Sequence, residues 1–279
     1  MEQDKVQAIV SKKISESVRL CRRVGEDFDP ETIHEFRVSV KDLRSFFRML
    51  RMAGSETKAF KIPVSYIRLY HIAGPIRDAL KERELLLSLN VDFPHYLSKL
   101  DQRVVRQRTE WKKYDLKKTR AKIKERPDRL LFEDLNTRLL ADFVQCRLKS
   151  VDDLCAAVLI TDDQVHSMRK HMKDILYNVK TAKATWRQAY KTSPVISVKE
   201  LNKLTDTIGD YNDRRLLLKR LSAYAVHGHQ DAEKEDIRRF CDGMADELRQ
   251  HKKVVIKATR DYLTVLPKIN DRGATTDAL

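Results

Sequence analysis

Six residues of the stretch HEFRVSVKDLRSFFRMLR, positions 34–51, share one chemistry: His34, Arg37, Lys41, Arg44, Arg48 and Arg51. Their spacings alternate between three and four, which sets them along one face of a helix. No carboxylate belongs to the series. Like charges so spaced repel by about 0.2–0.5 kcal/mol per neighbouring pair, so the row costs about 1–2.5 kcal/mol, a real share of a domain's marginal stability. An anion lying on the row offsets that cost. Arginine offers phosphate oxygens bidentate contacts, and lysine offers a compact charge. At 1.5 Å per residue the row runs about 25 Å. A single phosphate touches only part of it, whereas an extended polyanion follows all of it.

The pattern occurs twice. HEFRVSVK at 34–41 returns as HSMRKHMK at 166–173, 132 residues further on. In that register His166, Arg169, Lys173, Lys180 and Lys183 match His34, Arg37, Lys41, Arg48 and Arg51. Arg44 alone lacks a basic counterpart and faces Leu176. An apolar row repeats beside the basic one: Ile33, Phe36, Val40, Leu43, Phe47 and Leu50 match Val165, Met168, Met172, Ile175, Val179 and Ala182. It lies one residue behind the cations, about 100° around the axis, so each helix carries a core face next to a cationic face. A second element follows each row. GPIRD at 74–78, which contains Arg77, returns as GDYND at 209–213, and in this register Arg68 corresponds to Lys203. Two elements recurring in one order point to two homologous halves.

The bland alternative is a solvated face. Such faces normally mix in Glu, and a position bordering the core is partly shielded, where a cation is costly without an anion. The histidines do not read as metal ligands, because the neighbouring cations of their rows repel a divalent ion. His227 and His229 read as a turn between helices. The chain has no GxxxxGK[ST] loop, GxSxG or HExxH, and no carboxylate constellation suited to a Mg²⁺-dependent triphosphatase. Asp78 and Asp213 read as orienting nearby cations, and Gly74 and Gly209 as permitting close helix approach. No catalytic residue, metal or cofactor is expected.

The elements that must position these residues follow from composition and breakers. Among 279 residues, 56 Lys and Arg oppose 41 Asp and Glu, giving a net charge of +15. That excess suits a polyanionic partner: nucleic acid, an acidic membrane surface or another phosphate polymer. Seven Gly and seven Pro favour an all-α chain. Cys21, Cys146, Cys155 and Cys241 form no CxxC pair and read as reduced, packed thiols. The opening MEQDKVQAIVSKK lacks a signal peptide's apolar run, and no segment reaches the ~20 apolar residues of a membrane span. A cytoplasmic protein without membrane insertion is expected.

Helical periodicity predicts elements over about 2–24, from a cap at Asp29 or Thr32 to about 53, from the late 50s to 90 with disturbances at Pro63 and Gly74-Pro75, and from about 95 to 125, losing regularity after Trp111. It predicts four more over roughly 129–150, 163–191, 197–226 and 231–265. Eight helices in two sets of four suggest two four-helix bundles, 1–126 and 127–266, with a frayed tail at 267–279.

The motifs H-x2-R-x3-K-x2-R at 34–44, G-x2-R-D at 74–78, H-x2-R-x3-K at 166–173 and G-x2-N-D at 209–213 together resemble the CHAD family, over about residues 2–265. The resemblance implies two four-helix bundles related by a pseudo-twofold axis, with a basic groove or pore between them. It implies binding of inorganic polyphosphate and association with polyphosphate granules. The ligands it implies are His34, Arg37, Lys41, Arg44 and Arg77, then His166, Arg169 and Lys173, with Leu176 departing from the basic residue the family favours. No ExExK signature of a fused triphosphate-handling domain occurs. A non-catalytic polyphosphate binder is the leading expectation. A nucleic-acid binder and a polyphosphate phosphohydrolase stand behind it. The basic rows carry no interleaved aromatics for base stacking, but the basic segment 99–130, with Trp111 and Tyr114, leaves a secondary RNA contact open.

Overall fold

A computed structural model describes residues 3–53, 62–124, 137–182, 196–227 and 231–266. Over these residues the chain is all-helical, with no strand. The helices are α1 (Gln3–Asp27), α2 (Pro30–Leu50), α3 (Val64–Ser88), α4 (Pro94–Lys112), α5 (Leu116–Lys124), α6 (Thr137–Cys155), α7 (Asp162–Thr181), α8 (Val198–His227) and α9 (Asp231–Val265). A 3₁₀ turn, Arg51–Ala53, ends α2. The expected joints at 125–129 and 192–195, most of the 227–231 turn, and the tail at 267–279 lie outside the described residues.

Local signals account for the element ends. Asp29 caps α2, accepting from the Thr32 N–H at 2.8 Å, with Pro30 in the first turn. Thr161 and Gln164 form a capping box on α7. Both helices that carry the basic rows thus have their cap five residues before their histidine, in the register of the sequence repeat. Pro63 stands at the start of α3 rather than disturbing it, while Pro75 is accommodated inside. The fourth expected helix breaks after Trp111 into α4 and α5.

The chain divides into two compact units, one of Met1–Leu135 with Asp213–Glu247 and one of Asn136–Asn212 with Leu248–Leu279. In the first, the apolar row of α2 is wholly buried, from Ile33 to Leu50. Phe36 meets Tyr66 of α3 and Trp111 of α4 edge-on, at centroid distances of 5.9 and 5.7 Å. Tyr66 is tied to Ser17 of α1 by a buried 2.7 Å hydrogen bond. Trp111, buried against Phe28 and Phe36, is therefore a core residue and offers no face for base stacking. Glu233 of α9 is buried and accepts from the His95 and Tyr96 N–H groups, capping α4. In the second unit the apolar row of α7, Val165 to Ala182, is likewise buried. Asp162 at its start accepts from the Tyr211 hydroxyl at 2.7 Å and pairs with Lys252 at 2.6 Å.

Candidate functional site

Burying the apolar row dictates where the cations emerge. In the first unit His34, Arg37, Lys41 and Arg48 are half-buried beside the core, and Arg44 is exposed. Arg51 has left the α-helix and stands exposed in the 3₁₀ turn. Across from the row, α3 supplies a receptor for it. Arg37 donates from Nη1 to the Tyr70 carbonyl at 2.8 Å, and its guanidinium lies 4.6 Å from the Tyr70 ring centroid. The Arg44 guanidinium approaches the same ring at 5.8 Å. One turn on, a Cβ placed on Gly74 would meet Arg37 Nη1 at 2.7 Å. Its three nearest neighbours are all guanidinium atoms, so the missing side chain makes room for Arg37 rather than for a neighbouring helix backbone.

Arg77 reaches the same region from the next turn of α3. Burial first, then the charges of Arg77 and Lys41, hold the His34 imidazolium below its ordinary pKa, with Glu31 and Glu35 opposing. His34 and Arg77 line an open cleft with Lys81 and Arg83, but Lys81 pairs with Glu84 at 3.2 Å and Arg83 with Asp101 at 2.6 Å. Arg68 is exposed and, nine residues before Arg77, projects about 180° away around α3, so the helix does not bring it to this group.

The second unit repeats the arrangement with different supports. His166, Arg169 and Lys173 are half-buried, and Lys180 is exposed. A Cβ on Gly209 would meet Arg169 Nε and Nη2, each at 3.2 Å. Arg169 Nε is buried without a hydrogen-bond partner. Lys173 sits 3.2 Å from Asp206 of α8, whose other oxygen accepts from Asn202 at 2.9 Å. Burial chiefly lowers the Lys173 pKa; Asp206 opposes this, and Arg169 and Lys180 reinforce it. The basic row, which contains no carboxylate at its own positions, therefore meets one from another helix. Leu176, the position without a cation, is core. Lys203 stands exposed on α8, and Lys183 lies outside the described residues.

The recurring aspartates do face cations. Asp78 pairs with Arg220 of α8 at 3.1 Å. Arg220 also pairs with Glu82, which is buried, accepts from the Tyr96 hydroxyl at 2.7 Å and lies 3.7 Å from Arg103. Asp213 lines a second cleft with Arg77, Asp78 and Arg220. Sequence reasoning missed Arg220 and Glu82. Their signal was helical phase, since Arg220 follows Asp213 by seven residues and Glu82 follows Asp78 by four.

Among the described residues no group of three or more His, Cys, Asp or Glu is placed to hold a metal, and no helix is long and apolar enough to cross a membrane. No curated protein matches the chain. Its fold is similar to the crystal structure of the CHAD domain from the plant Ricinus communis, with a TM-score of 0.68, 19% identity, and coverage of 95% of this chain and 92% of that one. It is also similar to PptA from Streptomyces chartreusis, with a TM-score of 0.64, 13% identity, and coverage of 94% and 99%. The CHAD domain model matches residues 8–222, a span that contains both basic rows and both glycine-seated arginines. An all-helical chain carrying these doubled motifs across most of that match belongs to the CHAD domain family.

Proposed function

We propose that the protein binds inorganic polyphosphate through its two basic rows, without turning it over, and through that binding associates with polyphosphate granules in the cytoplasm. The observation that carries this reading is the pair of half-buried arginines, Arg37 and Arg169, each laid against a helical glycine beside a histidine and a lysine of the same row. Partly desolvated cations held at helical intervals suit a polymer of repeated phosphates better than a single anion. Membership of the CHAD family supports a polyphosphate-related function. The burial of Trp111 removes the strongest stacking candidate from the nucleic-acid reading. The hydrolase reading gains nothing from Asp78 and Glu82, because both are engaged by Arg220.

The test is a titration of long-chain polyphosphate against wild type, Arg37→Ala with Arg169→Ala, and Lys112→Ala with Lys117→Ala. Both variants lose two positive charges, and Lys112 and Lys117 are exposed. The reading expects affinity that falls steeply with salt, because neutralised phosphates release counterions. It expects a larger loss in the arginine variant than in the lysine variant, and weaker binding of single-stranded RNA at matched charge. Equal losses in the two variants would mean a diffuse charge effect and sink the proposal. Release of free phosphate from polyphosphate with Mg²⁺ would sink its non-catalytic half.

A further inference from the structure

We infer that Gly74 and Gly209 are positioning residues for polyphosphate: each leaves a berth on its helix in which the guanidinium of Arg37 or Arg169 lies, and Tyr70 is the shelf that fixes Arg37 there. The inference rests on the polyphosphate reading above and adds residues that need not touch the ligand.

Both glycines lie inside long helices with ordinary helical backbone, so neither is required by a turn. Glycine in a helix interior is destabilising relative to alanine, so a benefit elsewhere must explain it. That benefit is specific. The three atoms nearest to the Cβ absent from Gly74 all belong to Arg37: Nη1 at 2.7 Å, Cζ at 3.3 Å and Nη2 at 3.5 Å. The three atoms nearest to the Cβ absent from Gly209 all belong to Arg169: Nε at 3.2 Å, Nη2 at 3.2 Å and Cζ at 3.6 Å. Two positions that correspond in the sequence repeat thus do the same thing to arginines that also correspond. Gly243 in α9 is the contrast, because a Cβ there meets nothing within 4 Å.

The two berths differ in strength. Arg37 is fixed by the berth, the Tyr70 carbonyl and the Tyr70 ring together. The buried Nε of Arg169 has no hydrogen-bond partner, so Arg169 depends more on the berth itself. An alanine at 74 overlaps the guanidinium end of a flexible side chain, so Arg37 swings away at little cost to the fold. Once displaced, the side chain regains rotamer freedom that polyphosphate must then quench. An alanine at 209 asks for a shift of only a few tenths of an ångström.

The experiment compares full-length wild type, Gly74→Ala, Gly209→Ala, Gly243→Ala, Arg37→Ala and Arg37→Ala with Gly74→Ala. It measures affinity for long-chain polyphosphate and melting temperature without ligand. Gly74→Ala should weaken binding about two- to tenfold while its melting temperature holds or rises by up to about 3 °C. Gly209→Ala should weaken binding less, and Gly243→Ala should leave binding at wild-type level. With Arg37 already alanine, Gly74→Ala should add no further loss of affinity. Wild-type affinity in Gly74→Ala, or a further loss in the Arg37→Ala background, overturns the inference while the polyphosphate reading stands. A falling melting temperature with lost binding marks Gly74 as a packing glycine and overturns it too. If wild type fails to bind polyphosphate, the underlying reading itself fails.

Discussion

Asp206→Asn should tighten polyphosphate binding while lowering stability. In the folded protein Lys173 Nζ lies 3.2 Å from Asp206 Oδ1, so a phosphate arriving at Lys173 must compete with a carboxylate already in place. The Lys173 side chain is 17% exposed and that of Asp206 57%, which makes this a partly screened pair. Exposed pairs contribute about 0.2–1 kcal/mol, and that range is the stability expected to be lost on replacement. The same free energy no longer has to be surrendered on binding, which corresponds to an affinity gain of about 1.4- to 5-fold. An asparagine keeps the size of the side chain and an oxygen for the Asn202 amide, so α8 is not remodelled. Losing Asp206 also removes the charge that holds the Lys173 pKa up against burial, so wild type and variant are compared at one fixed pH. Anisotropy titrations of end-labelled polyphosphate at several salt concentrations supply the readout. The magnitude of the log K against log salt slope should rise by up to about one as one more cation becomes available. The control is Asp236→Asn, which adds the same charge at an exposed pair with Arg239. If Asp206→Asn gains no more affinity than Asp236→Asn, or loses affinity, the competition argument is wrong.

Two further outcomes follow from the same geometry. Burial and the Arg77 and Lys41 charges lower the pKa of His34 in the free protein, and a bound polyanion raises it, so binding takes up a proton between the two values. Affinity should therefore increase as pH falls into the histidine range and level off once free His34, whose pKa lies below its ordinary value, is charged, and this dependence should flatten in His34→Gln with His166→Gln; an unchanged pH profile in that variant would remove the histidines from the site. Glu82→Ala should destabilise the fold by about 2–3 kcal/mol in urea unfolding, because it strips Arg220 and Arg103 of a buried partner, discounted for guanidiniums that are 29% and 27% exposed; a cost below about 0.5 kcal/mol would show that the network is not structural.

Sequence alone was sufficient for what is periodic and local. The apolar rows at 33–50 and 165–182 are buried at every position named, because a helix that carries apolar residues at three- and four-residue intervals can satisfy them only by turning that face inward. The basic rows, one residue ahead, then had to emerge at the edge of the core. Capping chemistry placed the start of α2, because Asp29 bonds a backbone group only three residues away. Contacts between remote segments had no such signature. Asp206 meets Lys173 from 33 residues away and Arg220 meets Asp78 from 142. Trp111 lies in a basic stretch, so its neighbours in sequence suggested an exposed aromatic, while its neighbours in space, Phe28 and Phe36, make it core. Gly74 and Gly209 read as ordinary close-approach glycines until the arginines lying on them were located. Only the tertiary structure decided that 213–247 pack with the first unit, which brings Arg220 and Glu233 to their partners there. Helical phase determines which face a residue occupies; which residue of another helix stands opposite depends on how the helices pack, and that information is spread over the whole chain.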